Sequence, residues 1–336
     1  MADNINEEHR IITMDDVARK LGISKTTVSR ALSGKGRISP ETVKRVQKYA
    51  KEHDFRPNAI AKGLSQSRTY NLAVTLPADF GETEVSFFKE CVGGICREAM
   101  EYDYDIMIAM LDRQLYRMLN HKKVDGVIMT RVRTDGAILR EVLKYHVPVV
   151  VLGSGDEEGV IYVDNNNFAG SRDMTDMLIK AGKHTGIIGG DSAQRVTMAR
   201  LDGYLKAHAD NHLRPDDDKV ILDVTDHRRA AEAIERIVNA GADALVCMDD
   251  NLCIMAMDAL HEKNIRVPED MSVVSLYDSK NLENISPAIT SIHFKTRELG
   301  KLALRRMMMA LGMTEETDVE LPVYQIYTRK SVSENV

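Results

Sequence analysis

Six side chains near the start of the chain carry hydroxyl or cationic groups, which are the groups that proteins use to contact nucleic acids. They are Ser24, Lys25, Thr26, Thr27, Ser29 and Arg30. Hydroxyl groups bond to phosphates or base edges, threonine methyl groups touch thymine, and an arginine serves either a phosphate or a guanine. No carboxylate lies within this short stretch, so we interpret it as a candidate nucleic-acid-binding surface.

A helix-turn-helix would position this surface, and capping residues mark its first two helices. Thr13, followed three residues later by Asp16, predicts a capping box at the start of the first helix. Gly22 permits a tight turn, after which Ser24 caps a second helix over 25–32. In this geometry the N-terminal residues of the second helix lie at the base edges of the major groove.

A third helix completes the predicted domain. Ser39 is its predicted cap, Pro40 occupies its first position, and apolar residues recur at helical spacing as far as about His53. The alternative is a small helical bundle whose polar face is only solvated. The coincidence of caps, a glycine turn and positive charge favours DNA binding over that alternative.

The distribution of charge separates this segment from the rest of the chain. The 336 residues carry a formal net charge of −6. Residues 10–64 nevertheless contain 13 Lys and Arg against five Asp and Glu, whereas residues 65–336 contain 32 against 43. A basic segment joined to an acidic body is typical of a nucleic-acid-binding domain attached to a domain that does not bind nucleic acid.

Residues 16–64 also carry a dense family signature. The stretches DVARKLGISKTTVSRAL and FRPNAIAKGL resemble the DNA-binding head and hinge of the lactose-repressor (LacI/GalR) family. The resemblance implies a helix-turn-helix domain over 11–56, a hinge helix and linker over 57–69, and a homodimer that binds a palindromic DNA operator. It adds six residues to the DNA-contacting set: Thr13, Lys35, Asn58, Ala61, Lys62 and Leu64.

By the same resemblance, the hinge helix folds only on DNA, and Leu64 wedges into the central base step of the minor groove. An apolar wedge of this kind kinks DNA at a cost of about a few kcal/mol for each unstacked step. Gly63 lowers the intrinsic helix propensity, which is consistent with a hinge that is ordered only when bound. The alternative for Leu64 is an ordinary linker residue that packs on the body.

In the acidic body, short apolar runs alternate with amphipathic stretches, a pattern that predicts repeated βαβ units and parallel sheets. The predicted strands cover residues 72–76, 106–110, 127–129, 149–152, 186–188, 220–224, 244–248 and 273–276. The predicted helices cover residues 85–102, 169–181, 195–208, 228–240 and 252–262. We therefore expect an α/β fold with two doubly wound lobes.

The body resembles the effector domain of the same family, which has the fold of the periplasmic sugar-binding proteins. The matching segments include HVPVVVLG, VDNNNFAG, IRVPEDMSVVS and SPAITSI. The resemblance implies one effector-binding and dimerisation domain over 70–336. Its first lobe is expected at about 70–161 plus 291–320, and its second lobe at 162–290 plus the C-terminal strand.

Ligands of parallel α/β sheets bind beyond the carboxyl ends of the strands, and polar or aromatic residues stand at these positions. They are Asp79, Phe80, Thr130, Arg131, Asp191, Asp249, Asp250, Tyr277 and Asp278. Such side chains suit a polyhydroxylated or charged small molecule. The resemblance adds Arg200 as a ligand-clamping residue and Gln194 as an effector contact. The alternatives are a lobe-stabilising salt bridge for Arg200 and a helix cap for any single aspartate.

Two positions depart from the family pattern. Asp249-Asp250 stands where the family usually has Asn-Asp at a strand end. Tyr277 aligns with the effector-binding aspartate of the family, and a tyrosine cannot accept a bidentate pair of hydrogen bonds from sugar hydroxyls. The effector is therefore left open among a sugar, a sugar phosphate and another polar metabolite. A global catabolite regulator with a serine-phosphorylated phosphocarrier protein as corepressor is an alternative, because the hinge sequence NAIAKGL resembles that subgroup.

The sequence gives no support to an enzyme or a membrane protein. Metalloprotease, P-loop, dinucleotide-binding and GxSxG motifs are absent, and the four cysteines form no zinc-binding pattern, so we expect no cofactor, metal or catalytic activity. No apolar run is long enough to span a bilayer, and the acidic, polar N-terminus is not typical of a signal peptide. We therefore expect a cytoplasmic protein rather than a solute-binding protein. The C-terminal residues contain no leucine heptads, which favours a dimer over a coiled-coil tetramer.

Overall fold

The structure, a computed structural model, describes residues 12–33, 36–53, 55, 63–64, 66–77, 85–110, 113–315 and 324–333. The chain divides into two compact units, Met1–Thr69 and Tyr70–Val336. We call the first unit the head and the second unit the body. Within the described part of the chain, no helix is long and apolar enough to cross a membrane.

The head contains three helices: α1 (Met14–Leu21), α2 (Lys25–Ser33) and α3 (Pro40–Glu52). The predicted capping box is confirmed, because the Asp16 carboxylate accepts from the Thr13 N–H at 3.0 Å and Thr13 Oγ1 accepts from the Asp16 N–H at 3.3 Å. Gly22 adopts a left-handed conformation with a φ of 67°, which allows the tight turn after α1. Ser39 caps α3 by accepting from the Thr42 N–H.

One valine from each helix is fully buried at the centre of the head. Val17 of α1, Val28 of α2 and Val46 of α3 are each 0 % exposed, and Phe55 packs into the same cluster. Because Val28 points into this core, the opposite side of α2 faces solvent. The packing of the head therefore turns the polar residues of α2 outward.

The first lobe of the body is built on a parallel five-stranded sheet. Its elements are β1 (Asn71–Leu76), α4 (Val85–Met100), β2 (Asp105–Met110), α5 (Arg113–Asn120), β3 (Gly126–Met129), α6 (Ala137–Leu143), β4 (Val149–Leu152) and β5 (Val160–Val163). The strand order is β2-β1-β3-β4-β5. The sequence patterns did not predict β5, α5 or α6, because runs of four to eight residues are too short to establish a period.

The second lobe is built on a six-stranded sheet. Its elements up to residue 293 are α7 (Asn167–Lys180), β6 (Thr185–Ile188), α8 (Arg195–Asp210), β7 (Val220–Ile221), α9 (His227–Asn239), β8 (Ala244–Cys247), α10 (Asp250–Glu262), β9 (Ser272–Ser275), α11 (Lys280–Asn284) and β10 (Thr290–His293). The predicted strand over 220–224 was too long, because Asp223 has a φ of 61° and ends the extended conformation. Neither α11 nor β10 was predicted.

The chain then returns to the first lobe as α12 (Thr296–Ala310) and ends in the second lobe as β11 (Gln325–Tyr327). Strand β11 lies antiparallel to β10, so the second sheet has the order β11-β10-β9-β8-β6-β7. Helix α12 crosses α4 closely, since a Cβ on Gly94 would lie 2.1 Å from the Arg297 carbonyl oxygen. Ion pairs from Arg297 to Glu90 and from Arg305 to Glu98 join the same two helices.

The predicted fold class is confirmed: a three-helix head precedes an α/β body with two doubly wound lobes. Separate apolar cores support the two sheets. The central strands β3, β4 and β8 are buried at every position, which explains their continuous apolar sequence. The carboxyl ends of the parallel strands provide the polar residues of the candidate site.

Candidate nucleic-acid interface and ligand cavity

The structure exposes five of the twelve expected DNA-contacting residues at the start and on the surface of α2. Ser24, Lys25, Thr26, Ser29 and Arg30 are exposed, and so is Thr13 before α1, whereas Thr27 is half-buried. The predicted cap of α2 is present, since Ser24 Oγ accepts from the Thr27 N–H at 3.1 Å. The two hydroxyl groups of this pair also lie 2.8 Å apart, so they contribute to the helix start as well as to the surface.

The cations of this surface differ in their environments. Lys25 Nζ lies 2.8 Å from the carboxylate of Asp15 on α1. The side chain of Arg30 runs beside Gly36, where an added Cβ would lie 3.2 Å from its Cδ atom. The sequence did not indicate the contact of Asp15, because a pair between two helices depends on how those helices pack.

Of the expected hinge contacts, Leu64 is described and is 86 % exposed, which makes it the most exposed large apolar side chain of the described residues. Gly63 and Leu64 are helical. Lys35, Asn58, Ala61 and Lys62 lie outside the described residues. An apolar side chain with this exposure gains from any surface that covers it.

A cavity of about 420 Å³ lies between the two lobes of the body. It brings together five of the residues expected to bind an effector: Arg131, Gln194, Arg200, Asp249 and Tyr277. Thr130, Asp191 and Asp250 also line it. The remaining expected contacts, Asp79 and Phe80, lie outside the described residues.

Asp278 does not line this cavity, although its place after a strand made it a candidate. Its carboxylate accepts from Arg329 Nη1 at 2.8 Å and from Ser291 Oγ at 2.6 Å. Tyr277 lines the cavity, whereas Asp278 pairs with Arg329 of the C-terminal segment. Asp278 thus follows β9 as the sequence predicts, but its carboxylate serves the C-terminal segment rather than the cavity.

Arg200 lies at the inner wall of the cavity, on α8. Its Nε donates to Asn167 Oδ1 at 3.0 Å, and its Nη1 donates to the carbonyl oxygen of Met248 at the end of β8. Burial lowers the pKa of the Arg200 guanidinium, while the nearby Asp249 and Asp164 carboxylates oppose that shift. A guanidinium held by two fixed acceptors is oriented before any ligand arrives.

Asp249 has two roles in the structure, because it caps a helix and lines the cavity. Its Oδ1 accepts from the Leu252 N–H at 2.8 Å at the start of α10. Burial raises the pKa of the Asp249 carboxyl, and the Leu252 N–H and Arg200 counteract the increase. Asp249 is therefore a helix cap, which was the alternative interpretation of the aspartates, and it also lines the cavity.

An aromatic wall closes one side of the cavity. The Phe87 ring lies edge-on to Phe88 at 5.3 Å and to Tyr277 at 6.2 Å between centroids. The Arg131 guanidinium lies over Phe88 at 5.7 Å. Burial raises the pKa of Tyr277 to about 12, so its hydroxyl stays protonated and can donate. Phe87 and Phe88 were not predicted as site residues, because they lie on a helix rather than after a strand.

Three buried polar atoms of the cavity lining have no hydrogen-bond partner among the described residues. They are Asn165 Oδ1, Gln194 Oε1 and Arg195 Nε. Buried polar groups in proteins are nearly always paired, with protein or with a bound molecule. Each of the three atoms has almost no accessible surface, so they lie behind the cavity wall rather than on it. The sequence patterns had not indicated Asn165 or Arg195.

Direct bonds between the lobes border the cavity. The Thr134 N–H donates to the Ala193 carbonyl oxygen at 2.8 Å, and the Arg195 N–H donates to the Val132 carbonyl oxygen at 3.4 Å. Arg133 pairs with Asp191 at 3.2 Å across the same line. We call these contacts the interlobe clasp. It shows that the two lobes touch beside the cavity as well as through the connecting chain.

The cavity lining combines several kinds of polar binding group. Among the residues that the structure describes, no group of three or more His, Cys, Asp or Glu side chains could hold a metal ion. The cavity residues instead combine guanidinium, carboxylate, amide and aromatic groups, which suit recognition of a polar small molecule.

Comparisons with known proteins match both units. A family model for "Bacterial regulatory proteins, lacI family" matches residues 13–58, and one for "Periplasmic binding protein-like domain" matches residues 175–332. The HTH-type transcriptional regulator RegA of Clostridium saccharobutylicum is 30 % identical over 90 % of this chain and 93 % of its own length. The chain belongs to the LacI family.

Further relatives of this LacI-family protein agree with that assignment. Catabolite control protein A of Staphylococcus xylosus is 27 % identical over 93 % of this chain and 95 % of its own length. The solved structure of a complex of the transcriptional regulator CelR with cellobiose is 25 % identical, with a TM-score of 0.69 over 95 % of this chain and 99 % of that chain. The LacI-family protein is thus a transcriptional regulator with a helix-turn-helix DNA-binding head and an effector-binding body.

Proposed function

We propose that this protein is a repressor that binds a palindromic operator as a homodimer and that a small molecule in the interlobe cavity controls the binding. The observation that carries the proposal is the cavity itself. Its lining comes from both lobes and includes Arg131 of the first lobe and Arg200 of the second. A ligand that bonds to both arginines contacts both lobes at once, and it therefore stabilises one relative arrangement of the lobes over others.

The proposed mechanism follows from linkage between two sites. Ligand binding changes the arrangement of the lobes, and in a dimer that change alters the spacing of the two chains that enter the operator. The change in spacing then stabilises or destabilises the hinge segments in their DNA-bound conformation. Linkage is reciprocal, so operator DNA must change the affinity for the ligand by the same factor. A typical coupling of about 1–3 kcal/mol corresponds to about 5–150-fold.

The chemical class of the effector follows from the groups that face the cavity. We propose contacts from Arg131, Gln194, Arg200, Asp249 and Tyr277 to a sugar, a sugar phosphate or another polar metabolite. The cellobiose complex of CelR supports a carbohydrate. The proposal assigns the protein no catalytic activity, and it places the protein in the cytoplasm because an operator lies on the chromosome.

A second candidate is a catabolite regulator whose corepressor is a serine-phosphorylated phosphocarrier protein. The relation to catabolite control protein A supports it. Lys89 and Arg97 are exposed on α4, where cations could receive a phosphoserine. Capture of the purified chain by the phosphorylated carrier, and not by the unphosphorylated carrier, is expected if this candidate is right. Equal capture of both forms would contradict it.

DNA binding can be tested with the palindromic sequences of the promoter region of the protein's own gene. Full-length protein is expected to shift a labelled palindrome at concentrations at least about 1,000-fold below those needed for random-sequence duplex, the lower end of typical specificity ratios. The measurement is fluorescence anisotropy at fixed salt concentration, since affinity for DNA depends steeply on salt. Equal affinity for palindromic and random duplexes would contradict the operator-binding proposal.

Leu64→Ala is expected to lower operator affinity by about 10–150-fold, because burial of a leucine side chain contributes about 1.5–3 kcal/mol. The reason is the proposed insertion of Leu64 between base pairs of the minor groove. Leu213→Ala, at a leucine of the body that is 49 % exposed, provides the matched control and should leave the affinity unchanged. Operator affinity equal to that of the unmodified protein in the Leu64 variant would remove the wedge from the mechanism.

A further inference from the structure

We call α2 the recognition helix and its exposed polar side the recognition surface. An ion pair joins this surface to α1. Lys25 Nζ lies 2.8 Å from Asp15 Oδ2, and the two side chains are 60 % and 59 % exposed. Asp15 belongs to the first turn of α1, and Lys25 is the first residue of α2. The surface expected from the sequence to hold only hydroxyl groups and cations therefore includes a carboxylate.

The position of Lys25 explains why a carboxylate is useful there. The N-terminus of a helix carries a partial positive charge, so a lysine at the first helical residue is disfavoured. The negative charge of the Asp15 carboxylate offsets both the partial positive charge of the α2 N-terminus and the charge of the Lys25 ammonium group. An exposed pair of this kind is weak, so a competing anion can replace Asp15 as the partner of Lys25.

The other carboxylate of the same turn is not available to Lys25. Asp16 accepts from the Thr13 N–H and Thr13 Oγ1, and it pairs with Arg19 at 3.5 Å. Its side chain is 21 % exposed. Asp15 is thus the carboxylate of α1 that pairs with Lys25 of the recognition helix, while Asp16 caps the start of α1.

We propose that Asp15 is a specificity-determining positioning residue that limits binding to non-operator DNA. DNA phosphates attract any free lysine regardless of sequence, through release of counterions. While Lys25 is paired with Asp15, the recognition helix attracts DNA phosphates less strongly. Contacts to the bases then account for a larger share of the affinity for DNA. The inference rests on the DNA-binding function of the head.

The test uses the full-length protein, a random-sequence duplex and a salt series. Asp15→Asn is expected to strengthen this binding and to steepen the salt dependence by about 0.9 in log K against log [salt] for each bound protomer. For one such contact, the affinity ratio of variant to unmodified protein should change about 3.5-fold between about 50 and 200 mM salt. In a protein that already carries Lys25→Gln, Asp15→Asn should change neither the affinity for the random-sequence duplex nor its salt dependence.

Two comparisons separate this effect from a general loss of negative charge. Glu41→Gln removes an exposed first-turn carboxylate of α3 that pairs with no cation among the described residues, and it should leave the salt dependence unchanged. Asp15→Ser should reproduce Asp15→Asn, and equal melting temperatures of the head show that both variants are folded. An equal change in the Lys25→Gln background, or an equal effect of Glu41→Gln, would overturn the proposal. Absence of any DNA binding by the unmodified protein would instead contradict the function on which it rests.

Discussion

Arg200→Met is expected to abolish the response to the effector while operator binding persists. Arg200 donates to Asn167 Oδ1 and to the Met248 carbonyl oxygen, and these contacts aim its guanidinium along the cavity wall. Removal of one partner of a buried charged contact costs about 2–5 kcal/mol, which corresponds to about 30–5,000-fold in Kd. Operator binding should persist because Arg200 belongs to the body, whereas the recognition helix belongs to the head.

The measurement starts from a thermal-shift screen of sugars, sugar phosphates and purines, because any bound compound raises the apparent stability by mass action. Calorimetry with the best compound then gives Kd for the unmodified protein and the variant. Operator anisotropy with and without the compound gives the response. Loss of binding together with loss of response is the expected result.

Two further variants make the result specific. Arg172→Met removes a half-buried arginine of the same lobe that pairs with Asp173 outside the cavity lining, and it should leave ligand affinity unchanged. Arg200→Lys should bind the ligand more weakly than the unmodified protein, because one ammonium cannot reproduce the two directed N–H contacts. A normal ligand response in Arg200→Met, with an unchanged melting temperature, would place the effector site elsewhere.

Arg30→Ala is expected to lower operator affinity by about 5–150-fold. Arg30 is exposed on the side of α2 that the buried Val28 turns toward solvent. A bidentate contact between an arginine and a base contributes about 1–3 kcal/mol of discrimination, so the variant should also distinguish operator mutants less well at one base pair. Ligand affinity should not change, since Arg30 lies in the other unit.

The comparison needs an arginine that is exposed but remote from the recognition surface. Arg228, on α9, pairs with Glu232 at 2.7 Å on the surface of the body, and Arg228→Ala should leave operator affinity unchanged. Anisotropy with the operator and with single-base variants of it measures both affinity and discrimination. Equal discrimination by Arg30→Ala and the unmodified protein would show that Arg30 reads no base.

Much of the fold could be predicted because its signals are local. Thr13, Gly22 and Ser39 mark helix ends through hydrogen bonds and turns that span a few residues, and the structure shows each of them. The central strands were recognisable because burial on both faces requires continuous apolar residues. The short helices α5 and α11 offered too few residues to show a period.

The cavity could be predicted only in part, for a reason that its residues show. Arg131, Asp249 and Tyr277 follow strands, and parallel sheets bring such positions together. Phe87 reaches the cavity because α4 packs against α12, and the pair between Glu90 and Arg297 that joins these helices spans 207 residues. No local pattern encodes a contact over that distance, so the aromatic wall required the structure.

The interlobe clasp sets a condition on how fast the regulator can respond. A ligand that enters or leaves on that side must wait for the hydrogen bonds of Thr134 and Arg195 to break. The residence time of the ligand then depends on the opening rate of the clasp as well as on the contacts inside the cavity. The switching time of the promoter would then depend on this opening step of the protein as well as on the affinity of the effector.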